Sequence, residues 1–176
     1  MKVIDQALLE KVIIERSCTT HKGDYGRLLL LGGTYPYGGA IIMAALVAVK
    51  SGAGLVTVGT DRENIPALHN HLSEAMAFSL QDQQLLKEQL EKAEVVLLGP
   101  GLRDDVFGEN LVKQVFVNLS QNQILIVDGG ALTILARTSL SFPSNQLILT
   151  PHQKEWEKLS GIAIEKQNED ATASAL

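Results

Sequence analysis

The residues able to do chemistry in this chain fall in four short motifs, each directly after an apolar run. Gly32-Gly33-Thr34 and Gly38-Gly39 bracket Tyr35-Pro36-Tyr37 behind the leucines at 28–31. Gly99-Pro100-Gly101 follows 95–98, and Asp128-Gly129-Gly130 follows 124–127. Thr150-Pro151-His152 follows 147–149, with Glu155 three positions beyond His152. Glycine lacks the β-carbon that keeps a ligand away from the backbone, so the first two motifs suit close approach of main-chain N–H groups to a bound molecule. The alternative for the first loop is a tight turn without a ligand. Asp128 ends a buried strand, where a carboxylate either caps the next helix or orients a ligand, a water or a metal. His152 and Glu155 stand one helical turn apart and project to the same side, as a capping arrangement or as working groups. Beside three other convergent loops, the working role is favoured.

Several common chemistries are excluded. The spacing of glycines around residue 33 does not give G-x-G-x-x-G, and no Gly-Lys-Ser/Thr closes the loop as a Walker A motif would. There is no G-x-S-x-G elbow and no Cys/His cluster with metal-ligand spacing. His21 and Lys22 precede the first strand, where they either reach a phosphate or are solvated. His69 and His71 have no partner at ligand spacing and read as surface residues. Cys18 is the single cysteine, which rules out an intrachain disulfide and points to a reducing compartment.

The elements that position the motifs follow from periodicity. The apolar runs 28–31, 55–58, 95–98, 124–127 and 147–149 lack alternation, as strands covered on both faces do, and 75–80 gives a minor strand. Between them lie helical patterns at 40–50, 66–72, 81–92, 106–119, 131–137 and 154–159, with Gly161 as a C-cap. Asp5 caps an earlier helix whose apolar positions are Leu8, Leu9, Val12 and Ile13. Strands alternating with helices predict an α/β fold, a mainly parallel sheet with helices on both faces. Ligands of such sheets bind at the carboxyl ends of the strands, which is where all four motifs fall. The tail 163–176 reads as the start of a helix with no strand after it, so the fold is expected to continue beyond this stretch.

Composition bounds the partners. A net charge of −5 without a basic run argues against nucleic-acid binding through phosphate neutralisation. The N-terminus lacks a signal-peptide core, and no apolar run approaches the roughly 20 residues that span a bilayer, so a cytoplasmic, membrane-free protein is expected. At 176 residues, one domain is the default.

With these residues in view, HKGDYGRLLLLGGTYPYGGAIIMAALVAVKSGAGLVTVGT, VVLLGPGLRDD, ILIVDGGALTIL and LILTPHQKEWEKLSG resemble, in order and spacing, the ADP/ATP-dependent NAD(P)H-hydrate dehydratases, the carbohydrate-kinase-like domain of YjeF-type proteins. The resemblance covers essentially the whole chain. It implies a ribokinase-like fold, with residues 1–176 as the N-terminal portion of a single domain, and a repair reaction on hydrated NADH or NADPH. The ring hydroxyl is phosphorylated from ADP or ATP, with Mg2+, and elimination of phosphate restores the double bond. It further implies Ala40, Gly101 and His152 as substrate contacts, and Asp128 and Glu155 on the phosphate side. Glu155 occupies the acid position of the N-x-x-E motif that organises magnesium in related sugar kinases, and His152 its asparagine position. A homo-oligomer is also implied, and the apolar helix at 40–49 faces either the core or a neighbouring subunit.

Two departures stand out. The family often reads DADAL where this chain has DGGAL, so a second acid is missing at Gly130. The G-T-G-D segment that supplies the catalytic aspartate and the anion hole does not occur among these residues; in the family it lies at positions past Leu176, as does a lysine–glycine stretch that helps hold the adenine nucleotide. The 176-residue chain by itself is therefore expected to lack dehydratase activity. The alternatives are a vitamin-precursor kinase of the same superfamily and a non-catalytic nucleotide-binding module. Within this reading the stretch 21–59 is the wall that receives the hydrated nucleotide, with Ala40 at its contact point.

Overall fold

Every apolar run that precedes a polar motif is a strand in the computed structural model, which describes residues 5–13, 15–138, 140–143 and 146–167. The strands are β1 (Arg27–Leu31), β2 (Leu55–Thr60), β3 (Met76–Ser79), β4 (Val95–Leu98), β5 (Ile124–Val127) and β6 (Gln146–Leu149). They pair in parallel as one six-stranded sheet in the order β3-β2-β1-β4-β5-β6. The chain reverses direction across the sheet between β1 and β4, and the loops after these two strands flank that point.

Burial explains the absence of alternation. Leu29 and Leu31 point to one face, into a core with Leu86, Leu90, Val112, Val115, Leu132 and Ile134. Those residues belong to α4 (Gln83–Lys92), α5 (Val106–Asn118) and α6 (Gly129–Arg137). Leu30 points to the other face, against Ile41 and Ala45 of α2 (Gly38–Lys50) and Leu68 of α3 (Ile65–His71). All three leucines are at most 1% exposed, and full burial of each stabilises the fold by about 1.5–3 kcal/mol. A polar residue at any of them would face a dry core, so β1 must be apolar from Leu29 to Leu31.

Local signals set the boundaries. Asp82 and Asp105 accept from the backbone N–H of Leu85 and Gly108 and start α4 and α5. Pro66 sits in the first turn of α3, and Gly161, at φ 73°, ends α7 (Gln153–Ser160). Helix α6 starts at Gly129, two residues before the expected position. Of the tail, Ile164–Lys166 forms a short 3-10 turn; 168–176 lie outside the described residues.

Two elements differ from their sequence pattern. Helix α1 (Gln6–Val12) is capped by Asp5 as expected, but its apolar positions bury nothing, and Val12 and Ile13 are 69% and 71% exposed. Periodicity reports that a helix has an apolar face, not that the same chain covers it. Strand β6 is half exposed along its length because it is the sheet edge, with Ile148 open to solvent.

Candidate functional site

The loops after β1, β2 and β4 are joined by hydrogen bonds into one platform at the carboxyl edge. Gly33 N–H donates to the Pro100 carbonyl at 2.8 Å, and Thr34 N–H donates to the Gly101 carbonyl at 2.9 Å. The Thr34 hydroxyl donates to the same Gly101 carbonyl at 3.1 Å and accepts from Arg103 N–H at 2.8 Å. Its neighbour, the Gly33 carbonyl, accepts from the Thr60 hydroxyl at 2.9 Å, from the Asn64 amide and from Asp61 N–H. Thr34 and Thr60 are both buried. Thr34 was named as part of the first motif but given no role of its own, and Thr60 was not singled out. For Thr34 the available signal was a hydroxyl residue immediately after two glycines, where a side chain replaces the turn's missing backbone bonds.

Gly101 requires glycine on two counts. Its φ is 66°, and a β-carbon there would overlap the Tyr37 carbonyl. The Gly101 loop thus lies against the residue that caps α2. Tyr37 gives no side-chain cap, so the first-turn N–H groups of α2, which includes Ala40, keep their donors toward the edge. Ala40, in the first turn of α2, and Gly101, in the loop after β4, are both partly exposed.

A second cluster forms at the ends of β5 and β6. Asp128 occupies the N-cap position of α6 but makes no capping bond. Its Oδ1 instead accepts from the Thr150 hydroxyl at 2.7 Å, which fixes the carboxylate against the β6 loop. Of the two roles open to Asp128, capping is thereby ruled out for its side chain. His152 and Glu155 do form a reciprocal cap on α7. The His152 ring nitrogen Nδ1 accepts from Lys154 and Glu155 N–H, and Glu155 Oε2 accepts from His152 N–H at 3.0 Å. The cap holds both side chains at the edge and leaves the His152 ring exposed. His152 follows β6 and Gly101 follows β4, strands two spacings or about 10 Å apart in the sheet, so the two clusters stand apart along the edge.

Among the described residues no three His, Cys, Asp or Glu side chains gather as a metal site. A hard cation such as Mg2+ is commonly held by one or two carboxylates plus phosphate oxygens and waters, and Asp128 and Glu155 fit that partial role. His21 and Lys22 lie at the opposite edge: the turn Lys22–Tyr25 leads into β1, and Gly54 N–H, just before β2, donates to the Tyr25 carbonyl. His21 pairs with Asp24 there, so the solvated reading holds and the phosphate reading does not. His69, His71 and Cys18 are exposed.

The Gly99–Asp105 stretch is braced from outside. Arg137 of α6 donates to Asp104 at 2.7 Å and to Glu109 at 2.9 Å, and Lys113 pairs with Glu109. Hydrogen bonds from Lys113 and then Arg137 hold the Glu109 carboxyl below its ordinary value, while Asp104 and Glu109 raise Arg137. In this backbone a β-carbon at Gly130 would overlap the Leu102 carbonyl, so a second acid after Asp128 has no room beside this loop.

The sequence profile described as NAD(P)H-hydrate dehydratase matches residues 28–176. The chain belongs to the NAD(P)H-hydrate dehydratase family. It is 88% identical over its whole length to an ADP-dependent (S)-NAD(P)H-hydrate dehydratase of Streptococcus pneumoniae, and covers 61% of that protein. Among solved structures it is similar to a ribokinase-like superfamily protein of Enterococcus faecalis, with a TM-score of 0.91 and 38% identity over 97% of this chain and 60% of the other. It is also similar to an ADP/ATP-dependent NAD(P)H-hydrate dehydratase of Bacillus subtilis co-crystallised with ATP and Mg2+, with a TM-score of 0.77 and 29% identity over 92% of this chain and 57% of the other. The fold is therefore ribokinase-like, as the family resemblance implied. The chain spans about three fifths of the length of these relatives.

Proposed function

We propose that this protein repairs hydrated NADH and NADPH, dehydrating them at the expense of ADP or ATP, and that residues 1–176 are the N-terminal portion of its single ribokinase-like domain. The observation that carries the reading is the platform built by Gly33, Thr34, Gly101 and Arg103 beside the open first turn of α2. The platform fixes the loops in place, and the uncapped first turn of α2 beside it offers backbone donors to an amide-bearing ring. In this reading Ala40, Gly101 and His152 contact the hydrated nicotinamide nucleotide. Asp128 and Glu155 stand on the phosphate side, with Glu155 helping to hold Mg2+ through the nucleotide phosphates. The ion, when bound, neutralises charge on the transferred phosphoryl group.

Phosphorylation of the ring hydroxyl turns a poor leaving group into a good one, and loss of phosphate with a ring proton restores the double bond. The anion hole and the proton acceptor belong to the G-T-G-D segment, which these residues do not include. The 176-residue chain alone is accordingly inactive in this account. Exposed Met43 and Val47 on α2 support a homo-oligomer, and an unpaired, exposed Cys18 supports a cytoplasmic setting.

The test is incubation of the protein expressed from the intact gene with ADP, Mg2+ and hydrated NADH, following the dihydronicotinamide absorbance. Its recovery supports the proposal. No recovery, with phosphate transfer to a vitamin-precursor alcohol instead, would show a small-molecule kinase, and tight nucleotide binding without any turnover would show a binding module. Appreciable turnover by the 176-residue chain would refute the argument from the missing segment.

A further inference from the structure

A cavity of about 280 Å3 opens at the carboxyl ends of β1, β2 and β3. It is lined by Thr34, Asp61, Arg62, Ser79, Arg103 and Phe107, among others, and none of the five residues assigned to substrate or phosphate lies on its wall. Its charged groups are not equivalent. Arg103 is paired with Asp105 at 2.8 Å, and Asp105 also caps α5. Asp61 accepts from Glu63 N–H through Oδ1 only, which leaves its second oxygen open. Arg62 has no ion-pair or side-chain hydrogen-bond partner among the described residues. The pocket therefore presents one free carboxylate oxygen and one free guanidinium on adjacent residues, with the ring of Phe107 on its wall.

Sheet order says which part of a long ligand reaches this place. Asp128 and Glu155 hold the β5–β6 end, where the phosphoryl donor belongs in the proposed function, with the substrate contact His152 beside them, and Ala40 and Gly101 hold the β1–β4 switch. With the donor at the β5–β6 end, a dinucleotide whose nicotinamide ring lies at the switch finds the open cavity for its other half on the β2–β3 side. From β5 to β2 is three strand spacings, about 14 Å. The first residue after β2 is Asp61. In parallel sheets of this strand order that bind dinucleotides, an acid at that end accepts a hydrogen bond from the adenosine ribose 2′-hydroxyl, and a nearby arginine accommodates a 2′-phosphate.

We propose, resting on the dehydratase reading, that this cavity receives the adenosine end of the hydrated dinucleotide, with Asp61 taking the ribose 2′-hydroxyl and Arg62 the 2′-phosphate. The two side chains act in opposite senses: Asp61 favours hydrated NADH, Arg62 favours hydrated NADPH, and together they let one site take both.

The test is the ratio of kcat/KM for the two hydrates in protein from the intact gene. Arg62→Ala lowers the NADPH-to-NADH hydrate ratio by about tenfold, the loss of a charge-assisted hydrogen bond. Asp61→Asn, which retains the backbone cap, raises the ratio, because a carboxylate no longer faces the 2′-phosphate. A general structural disturbance lowers both substrates together and leaves the ratio fixed; a fixed ratio in both variants overturns the proposal. A raised KM for ADP in Arg62→Ala with an unchanged ratio also overturns it, since the cavity would then serve the phosphoryl donor. If the unaltered protein dehydrates neither hydrate, the dehydratase reading fails and titration of the 176-residue chain with adenosine 2′,5′-bisphosphate decides the cavity separately. Binding weakened about tenfold by Arg62→Ala sustains the adenosine site, and absent or unaltered binding rejects it.

Discussion

Replacing Thr34 with valine removes one hydroxyl from the junction of the β1 and β4 loops while keeping the side chain's shape. The hydroxyl serves Arg103 N–H at 2.8 Å and the Gly101 carbonyl at 3.1 Å. Gly101 keeps its second donor, Thr34 N–H, so its carbonyl remains satisfied. Arg103 N–H has no such replacement, and the junction is only partly open to water. Leaving a partly buried donor unpaired costs about 1–2 kcal/mol, the lower part of the usual penalty. For a domain of this size that corresponds to a fall in Tm of about 2–8 °C. The damage is directional: amide exchange at Arg103 accelerates strongly, while that of Val96 in the strand beneath follows only the global loss. Thr34→Ser, which restores the hydroxyl, recovers most of both effects. Thermal unfolding and amide hydrogen exchange of the three proteins measure this. A Thr34→Val protein with unaltered Tm and Arg103 exchange would refute the view that this hydroxyl joins the loops, as would a serine variant as impaired as the valine one.

The brace around Glu109 makes stability depend on acid. Its folded pKa is depressed, so its contribution is fully present above its ordinary value of 4.5 and is lost as pH falls from there through the folded value. The Tm difference between the unaltered protein and Glu109→Gln should be constant from neutral pH down to about 5.5 and shrink below 4.5. Glu155→Gln separates capping from phosphate chemistry, because glutamine can still accept from His152 N–H. Tm stays within about 0.5 kcal/mol-equivalent of the parent, whereas Glu155→Ala loses a cap worth about 1 kcal/mol, and if Glu155 serves the phosphates the glutamine form loses turnover all the same. Gly130→Asp drives a side chain into the Leu102 carbonyl and destabilises by about 1–3 kcal/mol on chemical denaturation.

The fold was legible because β1 and β4 pack on both faces and β5 buries Leu125 and Val127 on one, all three reading as apolar runs, and because each is followed at once by glycine or aspartate. The location of the site followed from the same fact, since parallel strands deliver all their trailing loops to one edge. Side-chain roles were less legible. Asp128 could be read as a cap or as a ligand group, and only the bond from the Thr150 hydroxyl, in the loop after β6, removes the capping role for its side chain. The roles of Thr34, which lay within the first motif, and of Asp61 and Arg62, which did not lie in any, depend on loops that are distant in sequence, 101–103 for Thr34 and 79–81 for the cavity wall. Helix α1 shows the reverse case, a correct helix whose apolar face finds no cover among the described residues.

The account's central claim is that the loops trailing the strands form the surface that receives a nicotinamide nucleotide. Backbone amide chemical shifts of the 176-residue chain, titrated with NADPH as the repaired product, test it directly. The predicted outcome is that shifts concentrate in 32–40, 60–62 and 99–103 and spare 21–26 and 53–55 at the amino edge. Shifts at the amino edge, or none at the carboxyl edge at saturating nucleotide, would contradict it.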